Sequence, residues 1–342
     1  MRPVLSPAAR WLWRDPETLQ LGRAAGSALV LAGLDPATRA VLPLLDGTRD
    51  LPALLRDAQQ VGCPPERIEE LLALLRGGGL LVDGDERWPT RLELAERDRL
   101  GSDVASLGLL HDGAGLPALH RRDRAAVVVV GGGRVGAPLA ALLAAAGVGA
   151  VDVVDDGHTR PQDAGVGGLG LSDVGRRRSE AARERLREGA PSTQTSPVAR
   201  PDLVVLAPAG PLPEREVQAL LRDGLPHLLA EVRDTVGVVG PLVVPGRSAC
   251  LHCLDLTRSD RDPGWPVLAA QLGLAVRAVP ACDGPLAAAV AAQAALQVLA
   301  LLDGAAPATV DGSLELALPD WRWRRRSWSA HPSCACRWEA AG

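Results

Sequence analysis

The stretch that most constrains the fold is residues 125–155, which read AAVVVVGGGRVGAPLAALLAAAGVGAVDVVD. The four valines at 127–130 are β-branched and apolar on both faces, as expected of a strand buried in a parallel sheet. Leu139, Leu142 and Leu143 follow at helical spacing, and residues 151–154 predict a second buried strand. The order strand, helix, strand predicts an α/β protein with a doubly wound, Rossmann-like sheet.

Glycines separate the first predicted strand from the helix. Gly131, Gly133 and Gly136 have the spacing G-x-G-x-x-G. In this motif the first glycine allows a tight turn, the second lets the backbone approach a phosphate, and the third lets the helix pack on the strand. Asp155 ends the second strand, where a carboxylate can accept hydrogen bonds from a ribose. These residues predict a nucleotide site with the phosphates at the helix N-terminus, and the alternative is a glycine turn that serves packing alone.

Composition and charge exclude several classes of protein. The 342-residue chain has room for two domains, and all 37 basic residues are arginine. Its net charge of −4 gives no positive field for a nucleic acid. The start MRPVLSPAAR lacks the apolar segment of a signal peptide, and we expect no apolar run to approach membrane-spanning length. We therefore expect a cytoplasmic protein with no nucleic-acid or membrane partner.

Residues 1–86 predict a separate small domain with a winged-helix-like order of elements. Apolar alternation and helical leucine spacing predict strands at 11–13, 19–21, 28–31 and 80–82, and helices at 36–45, 51–60 and 65–76. Residues 87–124 are more polar and predict a connector, with a helix in RLELAERDRL and a loop at HDGAGLP.

Residues 125–342 are expected to form the nucleotide-binding domain. Strands are predicted at 202–206, 228–232 and 236–244, helices at 179–187, 214–222 and 283–302, and a strand pair around 313–323. The run 156–178 is rich in glycine and aspartate and is long for a connection. Because it leaves the strand end beside Asp155, we expect it to cover a bound nucleotide.

Four of the six cysteines form two close pairs. Cys250 and Cys253 form C-x-x-C, and Cys334 and Cys336 form C-x-C much later in the chain. Two pairs of thiolates suit tetrahedral zinc, because each pair spans one edge of the tetrahedron and no open coordination position remains. The pairs therefore predict a structural zinc site that holds the C-terminal tail. A redox C-x-x-C or four unrelated thiols are the alternatives.

The other cysteines and two histidines have simpler interpretations. Cys63 is expected to be an ordinary thiol of the small domain. Cys282 precedes a predicted helix whose dipole would lower the pKa of the thiol, so a transient thioester is an alternative role. His252 and His331 lie near the cysteine pairs, but each is more simply interpreted as an exposed histidine than as a replacement ligand.

The glycine turn, the run AAGVG, Asp155 and the split cysteine pairs together resemble the ThiF/MoeB superfamily of ubiquitin-activating-type adenylyltransferases, over about residues 90–340. The resemblance implies ATP over the glycine turn, a ribose bound by Asp155 and zinc held by the cysteine pairs. Active members adenylate the C-terminal carboxylate of a small ubiquitin-like protein. The stretch VGPLVVPGRSACLHCLDLTRSDRDPGWP also resembles the ThiF-like partner proteins of azole- and azoline-peptide cyclodehydratases.

The N-terminal stretches LLDGTRDLPALL and ELLALLRGGGLLVD resemble PqqD-like peptide-recognition domains. Such domains bind a leader peptide by adding it as a strand beside their hairpin, so the resemblance implies a peptide partner. The alternative is a winged helix with a packing role. DNA binding is disfavoured, because residues 65–76 carry Glu66, Glu69 and Glu70 against only two arginines.

The chain departs from the family pattern at positions that face the phosphates. The second acid of the family's D-x-D falls on Gly157, with Asp156 beside it, and the family lysine falls near Arg177 or Arg178. The acid that holds magnesium in the family falls on Ala209. Acyl adenylation needs magnesium and cations to neutralise the transferring phosphate, so these losses disfavour adenylation.

Three functions follow from these residues. The first is a catalytically degenerate scaffold that binds a nucleotide and presents a peptide or small protein to a partner enzyme such as a cyclodehydratase. The second is an active ATP-dependent adenylyltransferase, with Asp155 or Asp156 holding magnesium, the arginines at 176–178 contacting phosphates, and Asp156 and Arg178 as the catalytic candidates. The third, a nicotinamide-dependent oxidoreductase, is disfavoured because no catalytic His or Lys stands out. Family members dimerise through the sheet domain, which allows a homodimer here.

Overall fold

The computed structural model describes residues 1–23, 28–208, 212, 214–272 and 281–336. The chain folds into two compact units, Met1–Arg121 and Arg122–Gly342. We refer to them as the N-terminal unit and the sheet unit. The predicted division of the N-terminal part into a module (1–86) and a connector (87–124) stays a proposal.

The described part of the N-terminal unit has a three-stranded antiparallel sheet, a two-stranded sheet and a set of helices. The strand order is β2–β3–β4 in the first sheet, and β1 pairs antiparallel with β5 in the second. The elements are β1 (Pro3–Leu5), β2 (Trp11–Asp15), β3 (Thr18–Leu21), β4 (Leu29–Leu31), α1 (Pro36–Val41), α2 (Leu51–Gln60), α3 (Pro65–Gly77), β5 (Leu81–Asp83), α4 (Leu94–Leu110) and α5 (Gly115–Arg124).

Local signals in the sequence account for the first helices. Asp35 and Asp50 cap α1 and α2 by accepting hydrogen bonds from the N–H groups of Thr38 and Ala53, and a proline lies in the first turn of each helix. The predicted hairpin, third strand and three helices are confirmed. The predictions missed β1, because its three residues carry too little pattern, and it is this strand that pairs with β5.

Residues 87–124 are more ordered than a connector. They form α4 and α5, which bury Leu100, Leu107 and Leu119 in a cluster of their own. The prediction of a loop at HDGAGLP is wrong for its second half, because α5 begins at Gly115.

The described residues of the sheet unit form a sheet of seven strands in the order β12–β11–β10–β9–β8–β6–β7. Strands β7, β6, β8 and β9 are parallel, and β10, β11 and β12 continue the sheet antiparallel. The elements are β6 (Ala126–Val130), α6 (Gly136–Ala145), β7 (Ala150–Val154), α7 (Arg178–Gly189), β8 (Leu203–Leu206), α8 (Glu214–Arg222), β9 (His227–Arg233), β10 (Val236–Val243), α9 (Leu251–Arg261), α10 (Trp265–Leu272), α11 (Gly284–Leu302), β11 (Gly312–Ala317) and β12 (Trp323–Ser327).

The valine run of β6 is buried on both faces, as its composition predicts. Val127 and Val129 join a core cluster with residues of α6, α7 and α11. Val128 belongs to the cluster on the opposite face, with Val217 of α8. Helices therefore cover both faces of the parallel strands, and the predicted doubly wound α/β fold is confirmed.

Helix α11 corrects the expectation that no apolar run approaches membrane-spanning length. Its 19 residues, Gly284–Leu302, are long and apolar enough to cross a membrane. In the structure α11 packs against α6, β9 and β10, and it buries Val290, Ala294 and Val298 in the main core. It is therefore a core helix of this unit.

His227 lies at the start of β9, fully buried beside its register partners Val204 and Val243. Its Nδ1 is 2.9 Å from the carbonyl oxygen of Leu225, and its Nε2 is buried with no hydrogen-bond partner among the described residues. Burial lowers the pKa of His227 below its ordinary value of 6.5, although the Leu225 carbonyl opposes the shift. The folded protein therefore holds this imidazole neutral.

We expect the free energy of unfolding to fall as the pH drops below about 6.5, because the unfolded chain then binds a proton at His227 that the folded chain does not. The slope from this one group is at most about 1.4 kcal/mol per pH unit. Urea unfolding between pH 5 and 7.5 measures the free energy of unfolding at each pH. In His227→Gln this free energy should depend less steeply on pH than in the wild type. Equal slopes for the two proteins would contradict the prediction.

Candidate functional site

The turn between β6 and α6 requires two of the predicted glycines. Gly131 has a φ of +104°, and a Cβ atom there would lie 2.0 Å from the carbonyl oxygen of Ala207. A Cβ atom at Gly136 would lie 1.8 Å from the carbonyl oxygen of Gly131. Gly133 accepts the first hydrogen bond of the helix from the N–H of Ala137, at 3.1 Å. The turn thus brings the N-terminus of α6 directly above the end of β6.

The carboxylate of Asp155 lies beside this turn, just after β7. Its Oδ2 accepts hydrogen bonds from the N–H of Gly132 at 2.7 Å and from Nε of Arg178 at 2.9 Å. Its Oδ1 accepts a hydrogen bond from the N–H of Gly157, also at 2.7 Å. The side chain is only 8% exposed. The predicted ribose acceptor is therefore already engaged with three donors of the protein.

Arg178 occupies the centre of the site. Besides Asp155, its guanidinium contacts Oδ2 of Asp163 at 3.2 Å and the carbonyl oxygen of His158 at 3.3 Å. The side chain is 16% exposed. The sequence predicts that Arg178 contacts phosphates, and the structure places it in an ion pair with Asp155, the predicted ribose acceptor.

Both members of this ion pair are charged. Burial alone would raise the pKa of Asp155, but hydrogen bonds from Arg178, Gly132 and Gly157 outweigh it and hold the pKa below its ordinary value. Burial opposes the charge on Arg178, but Asp155 and Asp163 raise its pKa above the usual range. The pair is therefore ionised across the physiological pH range.

Two glycines make room for Arg178. A Cβ atom at Gly157 would lie 2.1 Å from a terminal nitrogen of the guanidinium. A Cβ atom at Gly132 would lie 3.2 Å from Cβ of Arg178. Gly157 is the position where the family pattern carries its second acid, so the space of that side chain is here taken by the arginine.

The two ends of the long connection between β7 and α7 are joined by backbone hydrogen bonds. The N–H of Arg178 donates to the carbonyl oxygen of Gly157 at 2.9 Å, and the N–H of Thr159 donates to that of Arg176 at 2.8 Å. Short 3-10 turns lie within it, at Pro161–Asp163 and Leu171–Asp173. The segment is thus more regular than its glycine content suggests.

The remaining predicted residues lie outside this network. The side chain of Asp156 is exposed, and Arg176 pairs with Asp173 at 3.0 Å and with Glu184. Arg177 is also exposed. Ala209, where the family acid for magnesium would fall, lies outside the described residues.

Arg134, inside the glycine motif, has a role that sequence reasoning missed. Its guanidinium donates to the carbonyl oxygen of Cys282 and, at 3.5 Å, to that of Ala164. Its Nε is buried with no partner among the described residues. Arg134 therefore ties the turn to Cys282, two residues before α11, and to the loop after β7. An arginine at a variable motif position gave no signal of this.

Cys282 does not have the lowered pKa that its place before α11 predicts. Burial raises the pKa of the thiol and Asp283 raises it further, while Arg134 only partly opposes them. The prediction from the helix dipole is therefore wrong in direction. The thiol is protonated at neutral pH, which weakens the thioester role.

The four paired cysteines come together at the start of α9. The Sγ–Sγ distances are 3.7 Å for Cys250 and Cys253, 3.6 Å for Cys250 and Cys334, and 3.4 Å for Cys253 and Cys336. All four sulfur atoms lie within 4.8 Å of one another. Four thiolates about 2.3 Å from one zinc ion would be about 3.8 Å apart. The cluster therefore fits a tetrahedral metal ion.

The same four thiols differ in their environments. Burial and the neighbouring thiols raise the pKa of Cys250, and burial raises that of Cys336 to about 12. Burial would also raise the pKa of Cys253, but hydrogen bonds from the backbone of His331 and Cys250 bring it below its ordinary value. Four thiols at such short distances, two of them buried and two half-buried, are a donor set for a soft cation, which would displace their protons.

Two aspartates hold the cysteine pairs in place, and sequence reasoning missed both. Asp311 accepts from the N–H of Ala249 at 2.7 Å through its Oδ1, and its carbonyl oxygen accepts from the N–H of Trp328 at 2.9 Å. Asp260 of α9 lies 2.9 Å from Nε2 of His331 in the tail. His331 therefore links the tail to α9. Its side chain is only 13% exposed, so the prediction of an exposed histidine is wrong for His331, whereas His252 is exposed as predicted.

Comparisons with known proteins agree with this geometry. Residues 109–204 match the family model described as the ThiF family. No curated protein sequence matches the chain.

Solved structures of similar fold include E. coli MccB with AMPCPP and MccA, at 18% identity and a TM-score of 0.74, with 98% of this chain and 99% of that chain covered. E. coli MccB with ATP has 17% identity and a TM-score of 0.72, with 98% and 99% covered. PaaA has 17% identity and a TM-score of 0.67, with 94% and 99% covered. The chain therefore contains a ThiF family domain at residues 109–204, in a fold that it shares over nearly its whole length with MccB.

Proposed function

We propose that this chain is a cytoplasmic, ThiF-type scaffold that binds a nucleotide and a peptide or small protein, and presents that substrate to a partner enzyme of the cyclodehydratase type. The observation that carries the proposal is the engagement of Asp155 by three donors of the protein, the N–H groups of Gly132 and Gly157 and the guanidinium of Arg178. Adenylation needs a carboxylate that holds magnesium at the phosphates. Two of these donors belong to the backbone and occupy both oxygens of Asp155, which leaves the carboxylate poorly suited to a metal ion, and the position of the family's magnesium acid is Ala209.

A nucleotide over the glycine turn is supported by the close approach of α6 to β6. Gly131, Gly132 and Gly133 carry no side chains at the start of the turn, and the N-terminus of α6 follows, where N–H groups and the helix dipole favour a phosphate. MccB, which shares the fold, has been crystallised with ATP and with AMPCPP.

A peptide partner is supported by β2, an edge strand of the β2–β3–β4 sheet that pairs with β3 alone among the described residues. The N–H of Gly22 donates to the carbonyl oxygen of Arg10, so the alternation of an antiparallel pair turns the backbone of Trp11 and Trp13 away from β3. Their indole side chains are 39% and 44% exposed. We propose that an extended segment pairs with β2, as a PqqD-like module would bind it.

Zinc is the proposed occupant of the cysteine cluster. Four thiolates at tetrahedral distances from one point suit zinc, and four protein ligands leave no coordination position for a substrate. The ion would tie the first turn of α9 to the C-terminal tail, which makes its role structural.

The second candidate function, an active adenylyltransferase, is favoured by one observation. The chain matches the whole of MccB, including the part outside the ThiF domain, and MccB has been crystallised with AMPCPP and MccA together. In that case Asp156, exposed beside Asp155, would be the acid available for magnesium, and Arg178 would have to turn to the phosphates. A homodimer through the sheet unit is compatible with either function.

We expect the purified chain to hold about one zinc ion, because the four thiols form a single closed site. The variant Cys334→Ser with Cys336→Ser should hold none, and Cys63→Ser, which changes a buried thiol of the N-terminal unit, should retain the metal. Elemental analysis of the three proteins measures this. A soluble wild type without metal would contradict the zinc proposal.

Trp11→Pro should weaken peptide binding at least tenfold, because it removes an N–H on the free edge of β2. The matched control is Val30→Pro, which removes an N–H on the opposite free edge, that of β4. Fluorescence anisotropy of labelled synthetic peptides from short reading frames beside the gene measures binding to the full chain. If only Val30→Pro loses peptide binding, the peptide pairs with β4 and not with β2. Equal binding by the wild type and both variants would refute strand addition.

Pyrophosphate exchange separates the two functions. A scaffold should bind ATP but catalyse no ATP–pyrophosphate exchange above the background of Asp155→Ala, with or without the peptide. An active adenylyltransferase should catalyse peptide-dependent exchange that Asp155→Ala abolishes. The second result would replace the scaffold proposal with the alternative.

A further inference from the structure

We propose that Arg178 makes nucleotide binding depend on the charge of the ligand's phosphates. A ribose can use Asp155 fully only when Arg178 leaves it, and an anionic phosphate supplies the acceptor that the displaced guanidinium needs. The inference rests on the proposed nucleotide site and deepens it, because it assigns the residue that decides which nucleotides the site accepts.

The first step is the number of acceptor positions on Asp155. A carboxylate offers about two hydrogen-bond acceptor positions on each oxygen. Oδ2 already accepts from Gly132 and Arg178, and Oδ1 accepts from Gly157. One position therefore remains for a ligand, whereas two ribose hydroxyl groups need two. The backbone donors are fixed by the turn and the loop, so Arg178 is the donor that can move.

The second step is what Arg178 would lose. Its side chain is mostly buried, and a buried guanidinium without its carboxylate is costly. Asp163, at 3.2 Å, is its second carboxylate partner among the described residues. An uncharged nucleoside that displaced Arg178 from Asp155 would leave this cation with one carboxylate, that of Asp163, and the carbonyl oxygen of His158. The site should therefore disfavour a nucleoside.

The third step is where the phosphates lie. Arg178 packs directly against the glycine turn, because a Cβ atom added at Gly132 would lie only 3.2 Å from the Cβ atom of Arg178. The phosphates of a nucleotide at the N-terminus of α6 would therefore be within reach of the side chain. Arginine binds phosphate in a bidentate manner, so the ligand would replace the ion pair that it breaks.

Gly157 provides an independent way to break the pair. A methyl group there would lie 2.1 Å from the guanidinium nitrogen, and the guanidinium is the movable end of a flexible side chain. Gly157→Ala should therefore push Arg178 off Asp155 while the positive charge stays in the site. Arg178→Ala removes the contact and the charge together.

The experiment is calorimetric titration of the full chain with adenosine and with ATP, for the wild type, Arg178→Ala and Gly157→Ala. Arg176→Ala is the matched control, because that arginine pairs with Asp173 and Glu184 instead. We expect the wild type to bind ATP and to bind adenosine far more weakly. Both test variants should bind adenosine about tenfold or more tightly than the wild type, as expected for removal of a competing charge-assisted hydrogen bond. Only Gly157→Ala should keep the preference for ATP, and Arg176→Ala should behave as the wild type.

The outcomes separate this inference from the proposed function. Unchanged or weaker adenosine binding in both test variants, with ATP binding in the wild type, overturns the inference and leaves the nucleotide site standing. Adenosine binding by the variants, with no ATP binding by the wild type, supports the role of Arg178 and overturns nucleotide binding by the natural chain. If none of the proteins binds adenosine or ATP, the inference about Arg178 and the proposed nucleotide site are both overturned. Circular dichroism and metal content of each variant show that it has folded.

Discussion

The carboxylate of Asp155 is the group on which the geometry of the site depends. It receives hydrogen bonds from Gly132 in the turn after β6, from Gly157 in the loop after β7 and from Arg178 at the start of α7. Three segments that are separate in sequence are thereby fixed around one charge. A buried carboxylate is tolerated only when its acceptors are used, and here the protein itself uses most of them. The use of these acceptors by the protein itself is what supports our proposal of a binding role over a catalytic one.

The cysteine cluster performs a comparable task in the antiparallel half of the sheet unit. The first turn of α9 carries Cys250 and Cys253, and the tail beyond β12 carries Cys334 and Cys336. Asp311 links the backbone on both sides of this junction. The thiols of the tail reach those of α9 because the strands between them return antiparallel to the same end of the sheet.

Much of the fold was predictable because the patterns involved are local and strong. The valine run of β6 must be buried on both faces, and the glycines after it allow a turn that side chains would block. The long helix at Gly284–Leu302 was also predicted as an element. The prediction nevertheless overlooked that its length and apolar character suit a membrane, and only its packing against α6 and the sheet shows that it is a core helix.

The predictions failed where the signal lies in distant contacts. A strand as short as β1 is stabilised by its pairing with β5, and the polar stretch after residue 86 forms helices because α4 and α5 bury leucines against each other. The pKa of Cys282 was predicted from the helix that follows it, but burial decides its direction. Each of these effects depends on residues that the local pattern does not include.

The sequence by itself determined the doubly wound sheet, the glycine turn, the acid at the end of β7 and the pairing of the four cysteines by type and spacing. Only the tertiary structure decided how the charged groups are used. Arg178 is near enough to Asp155 to neutralise it because two glycines, at 132 and 157, leave the necessary space. Spacing along the chain identifies which charges are available, but the distance between them, and therefore their chemistry, is set by packing.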